Sequence, residues 1–212
     1  MDTAELIIKE FPELSVKQIE QFQALGALYG DWNSKINVIS RKDIDNLYAN
    51  HVLHSLAIAK FLGPLAAGTT MLDVGTGGGF PGVPLAIYYP ECRFHMIDRI
   101  GKKIRVAQDV AYQIGLDNVT FQHGDVGECR ERYDYVVSRA VMPLNALVKL
   151  VRKNVASKGK PGNLYSPGLV CLKGGDLAEE SQGIGPTVIE VPLGELLHTH
   201  QYEDKCVVYV PL

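Results

Sequence analysis

Asp73, Gly75, Gly77 and Gly79 recur at alternate positions in the run Leu72-Asp73-Val74-Gly75-Thr76-Gly77-Gly78-Gly79-Phe80-Pro81-Gly82. Glycines at this density let a backbone turn tightly and lie against a ligand where a Cβ would clash. A second acid, Asp98, closes the apolar run Phe94-His95-Met96-Ile97, a place where a carboxylate accepts both hydroxyls of a ribose. Strand, glycine turn, helix, strand and acid in that order hold an adenosine-containing cofactor in α/β folds. The stretch from Gly77 to Gly82 also satisfies the dinucleotide pattern G-x-G-x-x-G, which belongs directly after a strand with pyrophosphate at the helix N-terminus. Here Asp73 precedes the turn, where its charge would repel a pyrophosphate, and Pro81 lacks the N–H that a phosphate would want. A cofactor bearing an ammonium and a sulfonium suits the site better, which points to S-adenosylmethionine and methyl transfer. The bland alternative is a glycine-rich turn that binds nothing, with Asp98 capping the next helix.

Further candidates lie at the ends of later strands. In His123-Gly124-Asp125-Val126-Gly127, the Asp125 carboxylate is placed to meet an adenine amine, with the backbone of Val126 and Gly127 framing the ring; a plain surface turn reads equally well. In Ser138-Arg139-Ala140-Val141-Met142-Pro143, Arg139 suits the cofactor's carboxylate or an RNA phosphate, unless it is simply solvated. Basic residues group as Arg99, Lys102, Lys103 and Arg105; as Lys149, Arg152, Lys153, Lys158 and Lys160; and as Lys35, Arg41 and Lys42 beside Trp32, with Lys173 following the fifth strand. Such groups hold a phosphate backbone, and Trp32 or Tyr48 can stack on a base, although helix-face lysines are commonly just solvated. The RNA-contact candidates are Lys35, Arg41, Lys102, Lys103, Arg139, Lys153 and Lys173. His51 and His54 stand one helical turn apart without a third ligand, so cap or core contacts are expected and no metal.

Missing motifs narrow the acceptor. An Asn/Asp-Pro-Pro-aromatic motif, usual after the fourth strand in enzymes that methylate exocyclic amines, is replaced by Ser138-Arg139-Ala140-Val141. Methylation at C5 of a pyrimidine needs a nucleophilic cysteine, and Cys171 sits inside the apolar strand Leu169-Val170-Cys171-Leu172. An acceptor that is already nucleophilic is left, and guanine N7 qualifies with a free lone pair and no proton to lose. Catalysis then rests on alignment, with no general base.

The elements that must position these residues fall into two stretches. Residues 1–66 are expected to form a helical cap. Ser15 and Gln18 fit a capping box, followed by the stripe Val16, Ile19, Phe22, Leu25, Tyr29 and Trp32, and a second helix is expected over about Asp43 to Leu62. Residues 67–212 alternate strands, near 70–75, 93–98, 118–123, 133–138, 168–173, 187–191 and 205–210, with helices at about 81–89, 100–115, 143–155 and 176–181. The order predicts an α/β fold, a Rossmann-like, mostly parallel seven-stranded sheet with an antiparallel edge hairpin, which is the class I methyltransferase arrangement. Gly, Pro and Lys between Ala156 and Asn163 mark a candidate mobile loop.

Composition fits a water-soluble chain: 212 residues, 46% hydrophobic, 21% charged and a net charge of −3. Seven acids and one base follow residue 175, so the rest carries +3, which permits a basic face without requiring one. No run approaches the roughly 20 apolar residues of a membrane span. The acidic start Met1-Asp2-Thr3-Ala4-Glu5 is unlike a secretion signal, and four scattered cysteines suggest reduced thiols. A cytoplasmic monomer is expected.

Taken together, Trp32-Asn33-x-Lys35-x-Asn37, His51-Val52-Leu53-His54-Ser55-Leu56, the run from Asp73 through Val83-Pro84-Leu85, Asp98-x-x-Gly101-Lys102-Lys103, Val137-Ser138-Arg139-Ala140 and Leu172-Lys173-Gly174-Gly175 resemble the RsmG (GidB) family of bacterial 16S ribosomal RNA guanine-N7 methyltransferases. The likeness runs from about residue 20 to the C-terminus. It implies a class I fold with a helical cap, S-adenosylmethionine as donor, and 16S ribosomal RNA or the small ribosomal subunit as partner. Donor contacts would fall on Gly75, Phe80, the backbone of Val126 and Gly127, and Arg139, with Asp98 on the ribose side. The family often reads Arg-Ala-Glu where this chain has Asp125-Val126-Gly127, so an acid at the adenine pocket is either lost or taken over by Asp125 or Glu128. After Asp98 the family commonly has a small residue, and here Arg99 stands. Methylation of a small molecule or a protein, and a non-catalytic nucleotide- or RNA-binding module, stay open as alternatives.

Overall fold

The computed structural model describes residues 3–40, 43–139, 141–184, 187–198 and 202–212; Arg41 and Lys42 of the third basic group lie outside them. The cap begins with α1 (Glu5–Glu10) and α2 (Val16–Lys35). Ser15 caps α2 as its sequence predicts, with Gln18 N–H donating to Ser15 Oγ at 3.3 Å and Ser15 N–H to Gln18 Oε1 at 2.9 Å. Phe22, Leu25 and Tyr29 are fully buried, whereas Val16 is 73% exposed and leaves the expected stripe. Gln18 explains this: its amide donates to the Ile87 and Tyr88 carbonyls, so Val16, two residues earlier, points away from the domain.

The single helix expected over Asp43 to Leu62 is three pieces: a tight turn at Ile44–Asn46, a wide π turn at Tyr48–Leu53, and α3 (His54–Leu62). Tyr48 fastens this segment to α2, its hydroxyl donating to Phe22 O at 2.9 Å and accepting from Gly26 N–H at 3.0 Å. The Asn50 amide donates to Asp43 at 3.0 Å, and the Asn50 carbonyl accepts from Arg139 at 3.2 Å. The wide turn therefore meets the sheet through a charged residue. Such turns concentrate at functional sites.

Seven strands form one sheet in the order β3-β2-β1-β4-β5-β7-β6. They are β1 (Thr70–Val74), β2 (Arg93–Asp98), β3 (Val119–His123), β4 (Tyr135–Arg139), β5 (Gly168–Gly174), β6 (Ile189–Pro192) and β7 (Lys205–Pro211). The first five run parallel, and β7 is antiparallel to both β5 and β6. Connecting helices are α4 (Gly82–Tyr88), α5 (Gly101–Gln113), α6 (Leu144–Val151) and the one-turn α7 (Leu193–Leu196). Strand order reverses between β1 and β4, and ligands of open α/β sheets bind at the carboxyl ends of strands beside such a reversal.

No helix spans 176–181; turns occupy 178–183. The side chains there serve other partners: Asp176 accepts from the Ala178 N–H at 2.9 Å and Glu180 reaches across to α6 and β5. The Gly-rich loop expected to be mobile is tied down. Asn163 accepts from the Ala66 N–H at 2.8 Å and Lys160 donates to Gly68 O at 2.9 Å. One hydrophobic cluster runs from Ile7 and Phe22 through Leu56 and Phe80 to Val137, Val170 and Tyr209, so cap and sheet share a core. Among the described residues no helix is long and apolar enough to cross a membrane.

Candidate functional site

β1 ends at Val74 and the chain enters the glycine turn with Gly75 at φ +69°, a conformation that side-chain-bearing residues rarely adopt. A Cβ on Gly75 would lie 2.6 Å from Val141 Cγ2, so the turn presses directly against the loop that follows β4. The cap holds the turn from the other side. Tyr29 donates its hydroxyl to Gly78 O at 2.8 Å, and a Cβ on Gly78 would meet Val38 Cγ1 at 2.2 Å. The Trp32-Asn33-x-Lys35-x-Asn37 stretch shapes that contact, because Asn33 Oδ1 accepts the N–H groups of Val38 and Ile39, each at 3.0 Å.

Asp73 is fully buried, with Oδ2 accepting the Gly82 N–H at the start of α4 at 2.8 Å and Oδ1 unpartnered. Burial pushes its carboxyl up to about 7, against the opposing pull of the Thr76 side chain, the Gly82 N–H and Arg139. Asp73 thus braces the turn from behind and has no open face toward a ligand. Asp98 is half-buried at the end of β2; Oδ2 accepts the Gly77 N–H at 2.8 Å and Oδ1 the Ile100 N–H at 2.7 Å. Each carboxylate oxygen keeps a second lone pair for a hydroxyl.

A cleft of about 320 Å³ opens between these elements, lined by Gly75, Asp98, Ile100, Val126, Val141 and Leu150 among others. Gly75, Asp98 and Val126 from the sequence reading meet there; Gly77 and Gly79 shape the turn without lining the cleft. Asp125 does not face it. Its Oδ1 accepts the Gly127 N–H at 2.6 Å and Oδ2 pairs with Arg99. The Gly127 N–H and the Arg99 guanidinium hold its carboxyl below the usual range. Glu128 instead folds back over cleft-lining Gly124, where an added Cβ would come within 2.8 Å of Glu128 Oε2. Gly127 is exposed, and its carbonyl accepts Lys153 Nζ at 2.7 Å.

Phe80 and Arg139 lie together on the cap side of the glycine turn. Phe80 is 4% exposed and packs between Tyr29, at 4.8 Å between ring centres, and His51, at 5.3 Å. Arg139 lies over the same ring at 5.3 Å and hydrogen-bonds His51 Nδ1 at 2.8 Å. Burial and the nearby guanidinium push His51 down to about 4 and His54 to about 3, so both are neutral at pH 7. Neutral His51 can then accept from Arg139, which fixes its proton on Nε2.

Arg139 lines a second cavity of about 420 Å³, together with His54, Met142, Lys173, Glu180 and Lys205. Val141 and Met142 border both cavities, so one loop separates them. The second cavity sits over the ends of β4 and β5 and the start of β7, since Gly174 pairs with Lys205.

The basic residues divide. Lys102 is exposed on α5, and Lys103 Cδ lies 3.9 Å from where a Cβ on Gly77 would be. Lys173 is inward-facing, whereas Lys160 binds Gly68 O ahead of β1, at the amino ends of the strands. Lys35 pairs with Asp31 at 2.6 Å. Neither aromatic offered for stacking is free: Tyr48 is buried, and the Trp32 indole N–H donates to Asp109 at 2.7 Å. Among the described residues no three His, Cys, Asp or Glu side chains gather as a metal site.

Known proteins place this geometry. The family model described as rRNA small subunit methyltransferase G matches residues 18–181. This chain belongs to that family. It is 53% identical over 205 residues to the ribosomal RNA small subunit methyltransferase G of Bacteroides thetaiotaomicron, covering 97% of this chain and 98% of that one. The protein of the same name from Bacteroides fragilis is 52% identical over 207 residues, covering 98% of this chain and 99% of that one. Among solved structures, precorrin-6y C5,15-methyltransferase from Geobacter metallireducens superposes with a TM-score of 0.53 at 14% identity, covering 84% of this chain and 92% of that one, a likeness of fold alone. Sequence reasoning missed Glu180, His54 and Lys205 as neighbours of Arg139, because they come from three distant segments that only the tertiary fold brings together.

Proposed function

We propose that this chain transfers a methyl group from S-adenosylmethionine to N7 of a guanine in 16S ribosomal RNA, in the small ribosomal subunit. The observation that carries the reading is the pair of cavities meeting at Val141 and Met142 over the carboxyl ends of the central strands, in a member of this family. The smaller cleft suits the donor. Asp98 would hold the ribose hydroxyls, the apolar walls of Ile97, Val126 and Leu150 the adenine, and the Gly75 backbone the chain that follows. Glu128, rather than Asp125, is the acid positioned for the adenine side. Asp73, Gly77, Gly79 and Phe80 keep the turn in shape, and Arg139 stands between donor and acceptor.

When bound, S-adenosylmethionine supplies an electrophilic methyl group on a sulfonium. Guanine N7 carries a lone pair and no proton, so no side chain has to act as a base. The neutral, buried His51 and His54 agree with that. The residues contribute alignment and exclusion of water, worth several kcal/mol of barrier. One chain lines both cavities, so a monomer suffices, acting in the cytoplasm where ribosomal RNA resides. The exposed Arg99 and Lys102 beside the cleft suit a phosphate backbone.

Purified protein incubated with methyl-labelled S-adenosylmethionine and small subunits from a strain lacking this gene is expected to label a single guanine at N7. Donor binding without label on the RNA would refute the reading.

A further inference from the structure

Glu180 enters the second cavity from the turn after β5, its side chain 32% exposed, facing Lys173, whose side chain is 9% exposed. Glu180 uses one oxygen for both of its bonds: Oε2 accepts the Leu144 N–H at 2.8 Å and Lys173 Nζ at 2.5 Å. Oε1 has no partner among the described residues. Lys173 Nζ also donates to Met142 O at 2.7 Å, which leaves its third hydrogen free. The cavity therefore presents one fixed donor, withdrawn from water, beside one fixed acceptor that is about a third exposed, both ionic.

We propose that Glu180 and Lys173 read the base that is methylated, Glu180 accepting from N1–H and the 2-amino group of guanine while Lys173 donates to O6. The inference rests on the methyltransferase reading above and deepens it by assigning the acceptor pocket. Guanine offers an acceptor followed by two donors along that edge, which matches the pair. Adenine offers a donor and then a lone pair at N1, which a carboxylate repels. Uracil has a single N–H there. The contacts use one edge of guanine and leave N7, on the other ring, unengaged and nucleophilic. They also account for an acid held among Arg139, Lys173 and Lys205 in an enzyme for an anionic polymer. If Glu180 merely fastened Lys173 and the start of α6, its second oxygen would meet only water, and the base would be read elsewhere.

The test compares small subunits rebuilt with guanine or with inosine, which lacks the 2-amino group, at the target position. Wild-type protein should lose at least about tenfold in kcat/KM on inosine, because a hydrogen bond to an ionised partner is lost. Glu180→Gln keeps its carbonyl on the Leu144 N–H and Lys173, so its amide N–H groups face the base. It should lower the rate on guanine by about tenfold or more and treat the two subunits within about twofold of each other. S-adenosylhomocysteine affinity by calorimetry should match the wild type, showing that the donor cleft is intact. Equal wild-type rates on both subunits would overturn the proposal, as would a Glu180→Gln enzyme that keeps the wild-type preference for guanine. If Glu180→Gln fails to fold, the wild-type comparison decides alone. Wild-type protein that binds S-adenosylhomocysteine yet methylates neither subunit would refute the underlying function and this assignment with it.

Discussion

Gly75→Ala tests whether the turn after β1 and the loop after β4 form one ligand surface. Two costs arise from the geometry. At φ +69° an alanine carries left-handed strain of about 1–2 kcal/mol. Its Cβ would also stand 2.6 Å from Val141 Cγ2 and 3.3 Å from Cγ1, so Val141 must move. Val141 is 39% exposed and borders both cavities, and its retreat from Gly75 takes it into the space a donor would fill. The strain acts on stability and the displacement on binding, which makes them separable. Gly75→Ala should lower Tm by about 2–8 °C, at roughly 2–4 °C per kcal/mol for a chain of this size. S-adenosylhomocysteine affinity, read by calorimetry, should fall at least about tenfold. Adding Val141→Ala removes the clash and not the backbone strain, so it should restore most of the affinity and little of the Tm. A double variant that binds as poorly as Gly75→Ala would show that Val141 is not the obstacle, and a Gly75→Ala protein that binds normally would sink the argument.

Other consequences follow from the same contacts. Tyr29→Phe strands the buried Gly78 carbonyl that its hydroxyl now satisfies, at a cost of about 1–3 kcal/mol, visible as a Tm lowered by about 2–12 °C. Asp73, raised to about 7 in the fold and ordinary when unfolded, binds its proton more tightly in the native state; the stability this gives is present at low pH and declines between about pH 4 and 7. His51 and His54, lowered to about 4 and 3, act in the opposite direction over the same range, so the informative quantity is a difference. Denaturant titrations of Asp73→Asn against wild type should show the variant gaining relative stability as pH rises from 4 to 7; a constant difference would contradict the assignment. Lys102→Glu with Lys103→Glu should reduce kcat/KM on small subunits by about tenfold or more at low salt and less at high salt, with S-adenosylhomocysteine affinity changed far less.

The sheet was legible because its signals are local. β1, β4 and β5 are short, largely apolar runs, the glycine turn follows β1 directly and Asp98 closes β2. The capping box of α2 was legible for the same reason. The helix expected through Asp43 to Leu62 failed where local periodicity competes with tertiary demand: the chain widens into a π turn at Tyr48–Leu53, where the Asn50 carbonyl also accepts from Arg139, 89 residues away. Asp125 illustrates a different limit. Its position at a strand end was legible, but not that Arg99 and the Gly127 N–H would take its two oxygens.

Arg139 shows why a strand-end residue is easier to find than to assign. An arginine at the carboxyl end of β4 reads as an anion ligand for donor or RNA alike, since the guanidinium is the same in either role. What decides its direction is the neutral His51 and the Asn50 carbonyl on the cap, which hold it where it lines the second cavity. Those partners come from a helical segment whose sequence suggested only packing. The cap thus does chemical work through a carbonyl and an uncharged imidazole, groups that carry no sequence signature. By the same logic Glu180 could not be singled out, because seven acids follow residue 175 and only the fold tells which of them turns inward.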